Sequence, residues 1–311
     1  MSGLNDLKVS FLAVGGKGFA AIDDVSDRCR VGHIATYPQH TSAVGIDEFT
    51  TLADRLGARL HLGAQPPEEI FEDSDVVFAV GWQYMIPNPP PHLVILHDSL
   101  LPAYRGFAPT VSALVQGETE IGVTALLPAE QVDAGDVLAQ APLKVVYPIR
   151  IAEAFQRLRP CYSAVIVETL HGFMTANRTL SGRPQQHEQA TYGQWRDEQD
   201  YFVDLSKTSV DVQRHVHAVG APYGGARVVT MTGEVLIVGD ADVLDDVEIV
   251  GRMPGKAWAI RPDGVDIVCG EGLVRLRSVE DAAGVTYRFA SLRTRLHSTP
   301  ASAFLASTRS A

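Results

Sequence analysis

Apolar and polar positions alternate in a regular rhythm over the first half of the chain. The run KVSFLAV (8–14) leads into GGKG (15–18) and then into FAAIDDV, which has helical spacing. RVGHIATY (30–37) and ARLHLG (58–63) read as strands around GIDEFTTLADRLG (45–57), a helix that stops at Gly57. PPEEIFEDS predicts a short helix, and DVVFAVGW (75–82) and HLVILH (92–97) predict buried strands. PTVSALVQG (109–117) predicts a helix with proline near its start and glycine past its end. Two further strands, IGVTALLPA (121–129) and DVLAQAPLKVV (136–146), precede a long amphipathic helix over 150–173, with Pro160 a candidate kink. This β-α-β order predicts an α/β fold with an open, mostly parallel, Rossmann-like sheet covered by helices. Such sheets carry their sites at the carboxyl ends of strands, where His97, Gly15 to Gly18 and Asp133 are expected.

The pattern changes after residue 180. SGRPQQHEQATYGQWRDEQD (181–200) is polar and reads as a linker. SKTSVDVQRHVHAV (206–219) reads as one helix. ARVVTM, VLIVGDADV, KAWAIRP, GVDIVCG and LVRLRSV then predict short strands, which suggest a small β-barrel. The expected domains are 1–180, a linker over 181–200, a second domain over 201–290, and a Ser/Thr/Ala-rich tail over 291–311 that frays.

Composition narrows the class of function. The chain has 311 residues, 46% hydrophobic and 20% charged, as in ordinary globular proteins. No apolar run approaches a membrane span, and the first residues lack the basic and apolar regions of a secretory leader. The three cysteines, Cys29, Cys161 and Cys269, are widely spaced and match no metal motif, which fits reduced thiols in a cytoplasm. A net charge of −11 disfavours a polyanion as the main partner. The HVH at 215–217 is not read as a metal site, because residues two apart on a helix point to different faces; no metal is expected.

Candidate chemistry centres on VILHDSLLPAYRGFAP (94–109), which delivers His97 from a buried strand into a loop. Asp133, in EQVDAGD, is the carboxylate that would fix the ring's tautomer and support it as a proton acceptor. The glycines of VGGKGFAAI lack the dinucleotide-binding spacing and are not a Walker loop. A glycine-bearing helix start with Lys17 still offers an anion-friendly turn.

HDSLLPAYRG, then GETEIGVT, then DAGDVL resembles the signature of the 10-formyltetrahydrofolate-dependent formyltransferases, in both order and spacing. The likeness covers residues 8 to about 175 and continues more weakly into the second domain, where VDLSKTSVDVQRHVHAVGAPYGGA is similar to the C-terminal domain of the tRNA enzyme. It implies a formyltransferase fold plus a small C-terminal OB-like barrel. It also implies 10-formyltetrahydrofolate as co-substrate and His97 and Asp133 as the catalytic pair. Trp82, Gln83, Tyr84, Met85 and Ile86 would line the pterin slot on one side, and Ala129, Glu130, Gln131, Val132 and Asp133 would close the other. Gly16, Lys17, Gly18 and Arg105 would face the acceptor.

One position departs from the pattern: the family's catalytic asparagine, two before the histidine, is Ile95. Loss of one oxyanion donor costs on the order of 3–4 kcal/mol. Gln83, Gln131, Asp98 or water could substitute, the enzyme could be slow, or the chain could bind folate without catalysis. A basic loop found in tRNA-acting members has no counterpart, since TYPQHTSAVGIDE (36–48) lacks lysine and arginine. A small amine on an amino sugar, amino acid or biosynthetic intermediate is the expected acceptor, and a tRNA formyltransferase or a non-catalytic folate-binding homologue the alternatives. The second domain could serve as an acceptor clamp or a homodimer surface.

Overall fold

A computed structural model of the chain describes residues 3–38 and 44–308. Gln39 to Ala43, in the stretch compared with the tRNA-binding loop, lie outside the described residues. The chain divides into two compact units. The first comprises Met1–Pro109, Glu120–Lys144 and Phe155–Gly193; the second comprises Thr110–Thr119, Val145–Ala154 and Gln194–Ala311.

In the first unit the elements run β1 (Lys8–Ala13), α1 (Gly15–Val25), β2 (Arg30–Thr36), α2 (Ile46–Leu56), β3 (Arg59–Leu62), α3 (Glu69–Glu72), β4 (Val76–Val80) and β5 (Leu93–His97). Then come the two-residue β6 (Arg105–Gly106), α4 (Pro109–Gln116, nearly all in the second unit), β7 (Glu120–Leu126), β8 (Val137–Lys144), α5 (Ile151–Thr175) and β9 (Tyr192–Gly193). The sheet order is β3-β2-β1-β4-β5-β7-β8. It is parallel except at β7, which runs against both β5 and β8. The central strands are apolar on both faces because helices and loops cover both: Val76 to Val80 are all buried, and Phe11 stacks on Phe78 at 5.8 Å. Each such side chain contributes roughly 1.5–3 kcal/mol by leaving water. The helix ends follow the sequence signals. Gly57, at φ 65°, closes α2 in the left-handed conformation. Pro160 lies inside α5 without ending it.

Two details differ from the pattern-based expectation. Gly16, Lys17 and Gly18 lie within the first turn of α1, because Gly15 alone, at φ 63°, makes the bend out of β1. Asp133 follows the one reversed strand, so it does not share the carboxyl edge with His97. It reaches His97 because the loop after β5 doubles back over the sheet, with Leu101 packed on Ile95, Leu126 and Val137.

The second unit holds α6 (Ser209–Ala218), β10 (Ala226–Val229), β11 (Val235–Leu244), β12 (Ala257–Arg261), β13 (Gly264–Val268), β14 (Leu273–Glu280) and α7 (Pro300–Ser307). The five expected strands form one antiparallel sheet in the order β10-β11-β14-β13-β12. The expectation of a fraying tail is corrected over 300–307. Thr299 caps α7, Pro300 opens it, and Ala303 and Phe304 pack against Phe202 and Val229. Among the described residues no helix is long and apolar enough to cross a membrane.

Candidate active site

His97 ends β5 because an apolar run buries the strand and the HDSLLP turn stops it. Its Nε2 lies 2.8 Å from the carbonyl oxygen of Tyr104. A carbonyl only accepts, so Nε2 carries a proton and Nδ1 is the nitrogen left to exchange one. Nδ1 lies 3.4 Å from Asp133 Oδ2, and the two side chains are only 8% and 10% exposed. Asp133 Oδ2 also accepts the backbone N–H of Gly106 at 2.8 Å. The carboxylate is therefore fixed on one side by the main chain and presented to the ring on the other. Asp133 adopts φ 53°, a conformation that Asp and Asn tolerate better than most residues. Two residues on, a Cβ on Gly135 would lie 1.8 Å from Leu127 O, so the DAGD turn needs glycine there.

The neighbouring carboxylate, Asp98, is buried and doubly engaged. Lys17 Nζ donates to its Oδ2 at 2.6 Å, and the Tyr162 hydroxyl donates to its Oδ1. Burial alone would push this carboxyl up; the Lys17 ammonium, the hydrogen bonds from Lys17 and Tyr162, and nearby His97 together carry it below the usual carboxylate range. The stability it contributes is present above the ordinary carboxylate range and is lost as pH falls through the lowered value.

The remaining expected site residues fall into three groups. Trp82 is half-buried, and Gln83, Tyr84 and Met85 are exposed beyond β4. Trp82 and Ile86, like Ile95, pack against the buried cluster of Leu12, Ala35, Val77, Ala79 and Leu93. Ala129, Glu130, Gln131 and Val132 are exposed on the loop after β7. Gly18 is buried against Ala13, whereas Gly16 and Lys17 are open to solvent. Arg105 is placed away from an acceptor: it is 1% exposed. Its guanidinium donates to Gln185 Oε1 at 2.7 and 3.1 Å and lies 3.1 Å from His187 Nδ1.

Gln185 is the residue that sequence reasoning missed. Its amide donates to the carbonyls of Asp133 and Gly135 at 2.8 and 2.7 Å while its oxygen receives Arg105. The stretch read as a linker is thus built into the first unit as far as Gly193, with Arg105 and Gly106 pairing to Tyr192 and Gly193. Only its glutamine-rich polarity hinted at this use. Gln185→Ala strands a buried guanidinium and two carbonyls, and should cost about 2–3 kcal/mol in a urea denaturation. A change under about 0.5 kcal/mol would show that the strap is dispensable.

Ile95 occupies the asparagine position as a packing residue, set against the Leu12–Val77–Leu93 cluster on one side and the Leu101–Leu126–Val137 cluster on the other. Ile95→Asn places an amide among apolar neighbours and should lower stability by roughly 1–3 kcal/mol, read as a shift in unfolding midpoint. An unchanged midpoint would mean that the site is wet and polar.

Four histidines outside this site are partnered. His215 Nε2 faces Tyr201 O at 3.4 Å, and His217 Nε2 faces Asp240 Oδ1 at 2.8 Å. Burial lowers His215 to about 4. His33 Nδ1 meets His61 Nε2 at 3.0 Å, while Glu69 lies 3.6 Å from the opposite nitrogen, His61 Nδ1. One donor atom from each of His33, His61 and Glu69 lies within 4.8 Å of the others.

A buried strand delivers a histidine to a carboxylate from a DAGD turn, and the comparisons give the class of enzyme. The formyl transferase model matches residues 70–170, and the formyl transferase, C-terminal domain model matches 196–294. The methionyl-tRNA formyltransferase of Methylococcus capsulatus is 30% identical over 213 residues, covering 67% of each chain. That of Roseiflexus sp. (strain RS-1) is 27% identical over 270 residues, covering 82% of this chain and 81% of its own. This chain belongs to the formyl transferase family. The fold is shared with an N-formyltransferase from Helicobacter canadensis solved with folinic acid and dTDP-3-aminofucose. Its TM-score is 0.63 at 13% identity, over 87% of this chain and 99% of that one. It is also shared with HypX from Aquifex aeolicus (TM-score 0.61, 18% identity), where 89% of this chain spans 46% of the other.

Proposed function

We propose that the protein transfers a formyl group from 10-formyltetrahydrofolate to the amine of a small molecule, such as an amino sugar, an amino acid or a biosynthetic intermediate. One observation carries the reading: Nε2 of His97 is pinned by Tyr104 O at 2.8 Å while Nδ1 faces Asp133 at 3.4 Å. The acceptor nitrogen attacks the formyl carbon, and the carbonyl π pair moves to oxygen. His97 Nδ1 takes the proton that the nitrogen loses, and positive charge developing on the ring meets the Asp133 carboxylate. Collapse breaks the bond from carbon to the donor nitrogen, and His97 returns the proton to that nitrogen.

The folate reading is supported by Trp82, whose Nε1 is buried with no hydrogen-bond partner. An unspent donor beside the exposed Gln83–Met85 segment suits a heteroaromatic rich in acceptors. The loop at 129–133 would close the other side. The proposed catalytic domain is 1–180 together with the strap up to Gly193, and 201–290 forms the second domain. A small acceptor is favoured over tRNA by the net charge of −11. The three cysteines are free and buried, and burial pushes Cys29 and Cys269 up to about 12, so they are inert thiols suited to a cytoplasm.

The test is to incubate the protein with 10-formyltetrahydrofolate and a panel of amines, following deformylated folate. Turnover with a small amine is expected. Turnover confined to charged tRNA, with strong salt sensitivity, would overturn the acceptor. Tight folate binding with no turnover on any amine would overturn the catalytic reading.

A further inference from the structure

Lys17 and Asp98 are placed as if for the reaction, yet the chemistry above leaves them unused. Lys17 leaves the start of α1 and passes the end of β4 at Gly81. A Cβ there would lie 2.7 Å from Lys17 Cε, and Gly81 itself adopts φ +67°. The ammonium ends 2.6 Å from Asp98 Oδ2, one residue beyond His97. It therefore spans the carboxyl ends of β1, β4 and β5, which are adjacent in the sheet. The Lys17 side chain is 39% exposed while Asp98 is 9% exposed, so the pair has a sealed acid and an open cation. Tyr162 takes the other Asp98 oxygen.

A tie between the β1 turn and the β5 loop could be made with neutral groups and no desolvation cost. The pair places an ammonium against Asp98, a carboxylate close enough to His97 to be affected by its charge, in a chain whose position 95 cannot donate a hydrogen bond. Ionised Asp98 only accepts. We propose that Lys17 is a catalytic residue of this enzyme: its ammonium stabilises the oxyanion formed when the amine adds to the formyl carbon, the role that an amide at position 95 would otherwise fill. Asp98 and Tyr162 are positioning residues that hold the lysine there. The electron count is unchanged from the transfer described above. The carbonyl π pair rests on oxygen beside Lys17 and returns as the bond to the donor nitrogen breaks. This inference rests on the proposed formyl transfer.

The test compares wild type with Lys17→Met, Lys17→Arg and Asp98→Asn. It reads single-turnover rate at saturating amine and 10-formyltetrahydrofolate, KM for the amine, affinity for 5-formyltetrahydrofolate by fluorescence, and melting temperature. Lys17→Met should lower the rate at saturation about a hundredfold or more with folate affinity held, and it should also lower the melting temperature because Asp98 is left buried without its cation. Lys17→Arg should recover part of the loss, and Asp98→Asn should lower the rate about tenfold or more. A Lys17→Met rate within threefold of wild type overturns the proposal. So does a loss that appears only in KM for the amine, which would make Lys17 an acceptor-binding group. Absence of turnover in wild type overturns the formyl-transfer reading and this inference with it. Wild-type turnover alongside active Lys17 variants overturns this inference alone.

Discussion

His97→Ala is expected to lower kcat/KM for formyl transfer by about 10²–10⁴-fold, with folate affinity retained. The size follows from what the ring alone can do. His97 Nε2 is committed to Tyr104 O, so Nδ1 is the atom positioned to take and return a proton. Alanine removes both the proton acceptor and the hydrogen bond that holds the loop after β5. The loop keeps its other ties, because Leu101 N donates to Thr124 Oγ1 at 3.2 Å and Gln140 Nε2 donates to Leu101 O at 2.8 Å. The melting temperature should therefore move much less than the rate. Single-turnover measurements at saturating substrates separate the two effects. A variant that keeps more than about a tenth of wild-type activity would remove the histidine from the mechanism.

Asp133→Asn is the second large effect, expected at about 10²–10⁴-fold in kcat with little change in fold. Asparagine tolerates φ 53° as aspartate does and can still accept the Gly106 N–H, so the turn survives. The charge that faces Nδ1 at 3.4 Å is what disappears. The ring then takes up positive charge without the carboxylate that faces it, which raises the barrier. The rate should fall far more than the affinity for either substrate. Equal losses in folate binding and turnover would instead make Asp133 a pocket residue.

Much of the fold was legible because it rests on short-range rules. Val76 to Val80 and Leu93 to Leu96 announce buried strands by apolar run, Gly57 and Gly117 announce helix ends, and five short strands after residue 225 announce a β-rich second domain. His97 and Asp133 were also legible as a candidate pair, because HDSLLP and DAGD are local motifs with a strong family likeness, and the two side chains do meet. Arg105 misled, since YRG in a loop reads as solvated. The partner that buries it, Gln185, lies 80 residues away in a stretch whose polarity suggests a linker. Polar composition signals exposure only when no buried charge elsewhere in the chain needs those amides.

The sequence by itself determined the order of elements, the apolar strands and the residue types at the proposed reaction centre. Periodicity and turn chemistry act over a few residues and do not depend on the rest of the chain. Tertiary structure alone decided which groups meet: Asp133 with His97 across a reversed strand, Lys17 with Asp98 over Gly81, and Gln185 with Arg105. Each of these pairings joins segments tens of residues apart, and hydrogen bonds and ion pairs decay within a few ångströms. Only packing fixes distances on that scale, so no local pattern can encode them.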